Sequence, residues 1–580
     1  MAKSFLDFFL PMKNNLKDRI AVARGLRKAD LVLKGGRIVN VFSGEIYRAD
    51  VAIHRGTIAG LGEYEGKKVI DAASKLILPG LIDSHVHLES SMLTPAEFAK
   101  AILPSGTTAV VADPHEIANV LGKKGINYIL KASEGLPLDF YFMLPSCVPA
   151  TLLETSGARL KTTDLMPFLK HRRVLGLAEI MNYPGVLSGD AEVLLKLRSF
   201  SDQVIDGHAP GLTGKELSAY VGTGITSDHE CTSADEAREK IRLGMTIFIR
   251  EGSAAKDMEA LLPAVTPSNS RFFCLATDDF QPGDLKYGGI STLVKKAIRL
   301  GLDPMTAVQI ATINPARHFG LKRKGAVLPG YDADLVIIDS FEDFTVEKVL
   351  KQGKLASKGD TCVIPCKSRY HEQTKRTVRM RPITKQDILI KAQTGRARVI
   401  ELIPDQIETK HSVLPVSAQR GFVFSDTERD ILKLMVIERH KATGNIGLGL
   451  VKGFGLRSGA IAGTVAHDSH NIIATGVSDD DILAAVSEIS KLQGGLVVVH
   501  NKKVLAEIPL PVAGLMSDKP LNYVVKKLAE IETAVNELGV KIKHPFGILS
   551  FLALPVIPEL KLTDKGLVDV NQFKFVDLFV

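Results

Sequence analysis

Short apolar runs alternate with longer amphipathic stretches through the middle of the chain. A first run lies near 76–84, and others follow at 107–112, 139–144, 174–180, 204–207, 224–227, 246–250 and 271–276. Strand-length apolar runs separated by helical stretches are typical of βα units and a parallel sheet. Eight such units predict a (β/α)8 barrel over residues 76–325, with its chemistry at the carboxyl ends of the strands.

Shorter strand patterns, interrupted by turn residues, flank the predicted barrel on both sides. They lie at 29–36, 37–40, 50–53 and 57–60 before the barrel, and at 330–339 and 346–354 after it. We interpret the two flanks, 1–75 and 326–380, as halves of one composite β-sandwich. Two unrelated β segments are the alternative.

The last third of the chain has a different pattern. A basic linker at 367–381 leads into residues 381–580, where strands are predicted near 399–403, 411–415 and 421–424. Helices are predicted near 428–441, 479–493 and 520–538, with a glycine-rich stretch at 444–450. This mixture predicts an α+β accessory domain that does not close into a barrel.

Composition narrows the class of protein. The net charge of +8 is spread along the 580 residues, and no basic run carries the interleaved aromatics of nucleic-acid-binding segments. No apolar stretch reaches the length of a membrane span. Met1 to Leu10 lacks the features of an export signal, and five scattered cysteines indicate a reduced protein. We therefore expect a cytoplasmic protein without nucleic-acid or membrane partners.

The most informative motif is His85-Val86-His87, which follows Leu-Pro-Gly-Leu-Ile-Asp-Ser at 78–84. Side chains two apart on a strand point the same way, so these two imidazoles can bind one metal ion. A chain with 15 histidines produces such a triplet by chance fairly often. The alternative is that the two histidines lie at the surface or in the core and bind no metal. The residues at the other strand ends distinguish the two interpretations.

The other strand ends carry acids and histidines in a fixed order. With the first strand's pair, this order resembles the amidohydrolase superfamily of metal-dependent hydrolases. The resemblance implies a first ion held by His85, His87 and Asp278, and a second held by His208 and His229. It also implies Glu179 as a bridging carboxylate where many relatives use a carboxylated lysine. Imidazole and carboxylate ligands suit Zn, Fe or Mn, and such a pair of ions can share one hydroxide nucleophile at neutral pH.

Longer motifs narrow the resemblance to the adenine deaminase family. They are His-Val-His-Leu-Glu-Ser-Ser at 85–91, Asp-Pro-His-Glu at 113–116, Asp-Gly-His-Ala-Pro-Gly at 206–211, and Ala-His-Asp-Ser-His-Asn at 466–471. The resemblance runs from about residue 20 to the end. It implies hydrolytic deamination of adenine to hypoxanthine and ammonia in purine salvage. The implied metals are two Mn(II) or Fe(II) ions, with Zn possible, and we expect a homo-oligomer.

Several side chains have roles to fill in such a reaction. Asp278 is expected to take a proton from the nucleophile and return it to the leaving group. Glu89 and His115 are further catalytic candidates, because they follow predicted strands. The expected substrate-binding residues are His115, Glu116, Glu89 and Asp279, although a supporting hydrogen-bond network is the alternative for each. His467 and His470 are expected to brace their own domain rather than reach the barrel.

Three other functions are weighed against this one. A hydrolase of cyclic amides, of the hydantoinase or dihydroorotase type, or of an N-acetyl sugar would have nearly the same metal site. A catalytically inactive scaffold barrel would be expected to lack a ligand, and none is missing. The cytidine-type zinc deaminases use a Cys-x-x-Cys signature that this chain does not contain.

Overall fold

The computed structural model describes residues 16–580 apart from 254, 368–371, 394 and 405. Met1 to Leu10, where no export signal was expected, and residues 368–371 of the predicted linker are not among the described residues. Residues 16–23 are helical, and all five cysteines are free thiols. None of the described helices is long and apolar enough to cross a membrane.

The centre of the chain forms the (β/α)8 barrel. Strands one to five form one parallel sheet and strands six to eight a second. Thr226 N donates to Ile205 O at 2.9 Å between strands five and six, and Asp278 N donates to His85 O at 2.9 Å between strands eight and one, so the ring closes. The sixth strand begins three residues later than predicted. The eight strands are Leu81–Val86, Thr107–Ala112, Asp139–Leu144, Val174–Ile180, Val204–Gly207, Ser227–Asp228, Thr246–Arg250 and Phe273–Ala276.

Helices cover the outside of the barrel and follow local sequence signals. In Ala234–Arg242 the Ser233 hydroxyl accepts the Glu236 N–H at 3.3 Å, with acids in the first turn and bases in the last. The other barrel helices are Pro95–Ile102, His115–Leu121, Lys123–Ala132, Thr162–Leu165, Tyr183–Ser188, Ala191–Ser199, Gly214–Val221, Met258–Leu261, Pro282–Leu285, Ile290–Arg299, Pro304–Ile310 and Ile313–His318.

The predicted first strand, 76–84, is two strands with different partners. Leu76–Pro79 pairs with Leu335–Ile338 and Arg37–Asn40 outside the barrel, and only Leu81–Val86 enters the barrel. The change of sheet occurs at Gly80, where a Cβ would lie 2.1 Å from Thr108 Oγ1. The prediction of one strand was wrong because both pieces are apolar, and an apolar run does not reveal a change of partner.

The two β flanks form one composite sandwich, as predicted. Its core is shared, because Leu33, Ile53 and Ile77 pack with Leu335 and Ile337. One sheet has the order Thr57–Gly62, Asp50–His54, Leu31–Lys34, Val69–Asp71. The other has the order Thr361–Cys362, Lys354–Lys358, Val346–Lys351, Leu335–Ile338, Leu76–Pro79, Arg37–Asn40, Glu45–Arg48. The exact domain limits at 75, 325 and 380 remain predictions.

The C-terminal domain is built on an open eight-stranded sheet. Its long helices, Asp479–Leu492 and Leu521–Glu537, lie where the sequence predicted them, and Pro545–Phe551 is a third. The sheet has the order Thr409–Pro415, Arg396–Leu402, Ile446–Lys452, Ile431–Ile437, Ile472–Gly476, Ala460–Gly463, Gly495–His500, Lys503–Pro509. Two small sheets comprise Ile390–Lys391, Phe422–Val423 and Ala418–Gln419, and Leu560–Thr563, Gly566–Asp569 and Lys574–Phe575.

The helix predicted near 428–441 is wrong, because this segment contains the buried strand Ile431–Ile437. Leu434 and Val436 contribute to the large core, whereas Met435 and Ile437 pack into a separate core with the helix Asp479–Leu492. Both faces of the strand are therefore apolar. A strand buried on both sides lacks the alternation that distinguishes it from a buried helix.

Gly176 generates a prediction about the strand that carries Glu179. A Cβ at Gly176 would lie 1.8 Å from the Val204 carbonyl oxygen of the neighbouring strand. Backbone cannot yield as a flexible side chain can, so Gly176→Ala is expected to lower the free energy of unfolding by about 3 kcal/mol. Urea denaturation measures the change. Gly283→Ala is the control, because no atom lies within 4 Å of its Cβ position, and equal midpoints for the two variants would contradict the prediction.

Candidate active site

The histidine pair of strand one converges on an acid from strand eight. His85 Nε2 and His87 Nε2 are 3.1 Å apart, and Asp278 Oδ1 lies 3.3 Å from the first and 3.1 Å from the second. His87 N donates to Asp278 O at 3.1 Å, so backbone hydrogen bonds hold the two strand ends in register. Burial opposes ionisation of Asp278, but hydrogen bonds from His85 and His87 outweigh it and hold the pKa of Asp278 well below its usual range.

Glu179, from the end of strand four, lies between two histidine pairs. Its Oε1 is 3.3 Å from His87 Nε2 and 3.8 Å from His85 Nε2. Its Oε2 is 2.6 Å from His208 Nδ1 and 3.3 Å from His229 Nε2. Burial would raise the pKa of Glu179, but the hydrogen bonds from His208, His229 and His87 hold it well below the usual value. The carboxylate is therefore an anion with one oxygen directed to each pair.

These donor atoms fit a divalent metal ion. His85, His87 and Asp278 form one set whose ligand atoms lie within 4.8 Å of one another, and His85, Glu179 and His229 form another. Ligands about 2.1 Å from a shared ion lie roughly 3 to 3.5 Å apart, which is the spacing found between the atoms of the first set. All of these side chains are buried, with His85 2% and Glu179 4% exposed. The protein thus contains groups that could hold a metal ion.

His115 lies among the same groups rather than only at a pocket edge. Its Nδ1 is 3.0 Å from Asp113 Oδ2 and 3.5 Å from Glu179 Oε1. Its ring centroid is 4.6 Å from that of His87. His87, Asp113, His115 and Glu179 form a further set with metal-ligand spacing. His115 was predicted as a catalytic or substrate-binding residue, and this position makes it a candidate metal ligand as well.

Two site residues were missed by the sequence reasoning, although both stand at strand ends. Glu230 follows His229 and lies 3.3 Å from its Nε2 and 3.6 Å from His208 Nδ1. Arg250, at the end of strand seven, pairs with Glu230 and lies 3.3 Å from Asp278 Oδ2. Charged side chains at the carboxyl ends of barrel strands were the available signal. Arg250 places a fixed positive charge beside two of the site's carboxylates.

A buried lysine supports the ends of strands five and six. Lys240 Nζ donates to Asp228 Oδ2 at 2.9 Å, to Glu236 Oε1 at 2.7 Å and to the Ala209 carbonyl at 2.7 Å. Asp228 Oδ1 in turn accepts the Ala209 N–H at 2.8 Å. Burial would raise the pKa of Asp228, but the Lys240 charge lowers it. Because Ala209 follows His208 and Asp228 precedes His229, this network fixes the backbone on which both histidines stand.

The C-terminal domain reaches the barrel, contrary to the expectation that His467 and His470 brace only their own domain. His467 Nδ1 donates to Glu116 Oε1 at 2.6 Å, and His470 Nε2 donates to Glu116 Oε2. The Ala466 N–H donates to His470 Nδ1 at 3.1 Å, which assigns the proton to Nε2. The prediction failed because residues more than 300 positions apart in sequence carry no signal of contact. We call residues 466–471 the histidine loop.

A pocket lies between the barrel and the C-terminal domain, beside these groups. It encloses about 930 Å³, part of it open to solvent. Glu89 Oε2 is buried in it without a hydrogen-bond partner among the described residues. Burial, with the nearby Glu116 charge, raises the pKa of Glu89 to about 7. The polar residues Glu89, Glu116, Asp279 and His467 share the wall with Leu515, Leu528 and Phe551.

Comparison with known proteins identifies the family. Residues 76–356 match the amidohydrolase family, and residues 406–574 match the adenine deaminase C-terminal domain. Adenine deaminase 2 of Carboxydothermus hydrogenoformans is 50% identical over 97% of this chain and 99% of its own length. The chain belongs to the adenine deaminase family. An adenine deaminase of Methanothrix thermoacetophila is 48% identical over 97% of this chain and all of its own length. The family resemblance drawn from the motifs is therefore confirmed.

Two solved structures cover little more than half of this chain. A β-aspartyl dipeptidase of Fervidobacterium islandicum AW-1 is 19% identical, covers 58% of this chain and 98% of its own, and gives a TM-score of 0.45. A D-hydantoinase of a Bacillus species, AR9, is likewise 19% identical over 57% of this chain and 96% of its own, with a TM-score of 0.42.

Proposed function

We propose that this protein deaminates adenine hydrolytically, giving hypoxanthine and ammonia. The supporting observation is the match to adenine deaminases along nearly the full length of both, including the C-terminal domain whose histidine loop contacts the barrel. A cyclic amide hydrolase is not favoured, because the match extends well beyond the barrel that such enzymes share. A scaffold barrel is not favoured either, since every acid and histidine of the candidate site is present.

The proposed ligands form two groups that share one carboxylate. His85, His87 and Asp278 would hold one divalent ion, His208 and His229 a second, and Glu179 would bridge them through its two oxygens. The position of Glu179, with one oxygen toward each histidine pair, supports this arrangement. Mn(II) or Fe(II) is proposed, with Zn as an alternative. Ions at this site would lower the pKa of water and so supply a nucleophile at neutral pH.

Asp278 is proposed to move the proton during the reaction. The oxygen of water forms a bond to C6 of the purine, the bond from C6 to the amino nitrogen breaks, and ammonia leaves. Asp278 would accept a proton from the water and deliver it to the departing nitrogen. Hydrogen bonds from His85 and His87 hold the pKa of Asp278 low, so this carboxylate is ionised and ready to accept, and Arg250 lies 3.3 Å from its Oδ2.

Recognition of the purine is assigned to the pocket side chains. Glu89 is the strongest candidate for a direct contact, because its Oε2 is buried and unpaired within the described structure and its pKa is raised to about 7. Such a group can donate or accept a proton at a ring nitrogen. Asp279, which accepts the Ser90 hydroxyl, lines the same pocket. Glu116 also lines the pocket, and both of its oxygens accept hydrogen bonds from the histidine loop, so it positions His467 and stays a candidate for contact with the purine.

The substrate assignment is tested by ammonia release from a panel of compounds. Metal-loaded protein is expected to release ammonia from adenine and to form hypoxanthine. Adenosine is expected to react poorly, because its ribose blocks one ring nitrogen and adds bulk. Hydantoin and dihydropyrimidine serve as cyclic amides. Ring opening of a cyclic amide without turnover of adenine would refute the proposed function.

Glu179→Gln is expected to lower bound metal and activity together. An uncharged amide cannot bridge two cations as a carboxylate does, although it fills the same space. Metal content by elemental analysis and the rate of ammonia release measure the two effects. Glu216→Gln, on an exposed helix position, is the control. Full metal occupancy with near-normal turnover in Glu179→Gln would remove Glu179 from the proposed site.

Asp278→Asn is expected to separate metal binding from proton transfer. Asp278 has a φ of 54°, and asparagine tolerates this left-handed conformation. The amide oxygen can still contact a metal but cannot carry the proton, so we expect retained metal and a loss in kcat of roughly 100-fold or more. Wild-type turnover in this variant would exclude the proton-transfer role.

His467→Ala tests whether the histidine loop contributes to the pocket. His467 donates to Glu116 and stacks on Phe551 with ring centroids 4.6 Å apart. Its loss is expected to lower kcat/KM for adenine about 10-fold or more while metal content stays unchanged. His544→Ala is the matched control, because His544 lines the same pocket without bonding Glu116 and is 49% exposed. Equal kinetics for the two variants would assign the loop a bracing role only.

A further inference from the structure

A second cleft lies where the barrel meets the first residues of the C-terminal half. It is enclosed by the turn between helices His115–Leu121 and Lys123–Ala132, by residues 157–160, by residues 375–379 and by His440. It contains about 1050 Å³ of space, part of it open to solvent. We call it the basic cleft. None of the proposed metal ligands lines it, so it is separate from the candidate active site.

The charge of the basic cleft is strongly one-sided. Asp164 is the single carboxylate among the described residues that line it. Acidic neighbours balance only part of the positive charge of the cleft, because three of its cations form no ion pair with any residue that the structure describes. Three others do have acidic partners. The unpaired cations are Lys124, Arg376 and Arg379, and the pairs are Lys123 with Asp164 at 2.7 Å, Arg159 with Glu192 at 2.9 Å and Lys375 with Glu372 at 3.3 Å.

Arginines and lysines converging on one concave surface are suited to phosphoryl groups. Guanidinium groups bind phosphate oxygens in pairs, and ammonium groups act as point charges. The unpaired cations come from two segments of the chain, one with Lys124 and one with Arg376 and Arg379, and a cleft of about 1050 Å³ has room for more than one phosphoryl group. The charge and the dimensions therefore favour a ligand with at least two phosphoryl groups.

The remaining lining favours an organic portion on the same ligand. Val120, Leu121, Ala158 and Leu160 give the basic cleft an apolar wall beside the cations. His440 supplies a neutral acceptor. Its Nε2 donates to the Ser469 carbonyl at 2.7 Å, and burial together with Arg439 holds its pKa well below the usual value, so Nδ1 is unprotonated. A sugar hydroxyl or an exocyclic amine could donate to that nitrogen.

Single-stranded nucleic acid is a poorer fit to these residues. Its binding grooves use aromatic side chains on which bases stack. No Phe or Tyr lines the basic cleft in the described part of the chain, and the sequence has no Trp.

We propose that the basic cleft is a binding site for a nucleoside polyphosphate. The phosphoryl groups lie against Lys124, Arg376 and Arg379, and the nucleoside lies along the apolar wall near His440. The site is distinct from the one that turns over adenine. Its occupancy is measured directly by binding, whatever the outcome of the ammonia-release assay.

The test is isothermal titration calorimetry of the metal-loaded, full-length protein with magnesium-saturated ADP. We expect one ADP per chain, and weaker binding of magnesium pyrophosphate, which lacks the nucleoside. The triple variant Lys124→Gln, Arg376→Gln, Arg379→Gln is expected to bind ADP about 10-fold more weakly or worse, because three charge-assisted contacts are lost. These three side chains are exposed, so their replacement leaves the core unchanged.

The matched control removes three exposed cations outside the basic cleft, with Lys215→Gln, Arg242→Gln and Lys526→Gln in one variant. Its affinity for ADP is expected to equal that of the wild type. Absence of ADP binding to the wild type would overturn the proposal. So would equal affinities in the cleft variant and the control variant, or tighter binding of a single-stranded oligonucleotide than of ADP through the same residues.

Discussion

The candidate site depends on one constraint, which is that several buried charges must neutralise one another within a few ångströms. Glu179 and Asp278 are anions in a region almost closed to water, and isolated charges there would be very unfavourable. Imidazoles from the ends of strands one, five and six surround them, and Arg250 lies 3.3 Å from Asp278 Oδ2. The imidazoles that are placed to bind a divalent cation are thus also the groups that offset the cost of burying these two carboxylates.

Further buried charged groups around the site are also paired or hydrogen-bonded, both within the barrel and between the barrel and the C-terminal domain. Lys240 forms ion pairs with both Asp228 and Glu236 near the ends of strands five and six, and the histidine loop donates to both oxygens of Glu116. The pocket wall is therefore complete only when barrel and C-terminal domain are together. The match to adenine deaminases likewise covers 97% of this chain and includes the C-terminal domain.

Local apolar runs predicted the barrel strands and the polar residues at their ends, and the resemblance to the amidohydrolase superfamily then selected the metal ligands among these residues. The acids and histidines at 85, 87, 179, 208, 229 and 278 each follow a short apolar run, and the structure brings all of them together. Contacts between distant segments could not be read in this way. The contact of His467 with Glu116, the transfer of Leu76–Pro79 to the sandwich and the buried strand Ile431–Ile437 all depend on partners far away in the sequence.

The composite sandwich also affects folding during synthesis, because its strands come from distant parts of the chain. Leu76–Pro79 pairs with Leu335–Ile338, which is made about 260 residues later. At about 5 to 20 residues per second, this strand waits roughly 13 to 50 seconds for its partner. The barrel strands between them are synthesised during the same interval. One edge of Leu76–Pro79 can pair at once with Arg37–Asn40, but its other edge stays open while about 260 of the 580 residues are made, and self-association or chaperone binding then competes with folding.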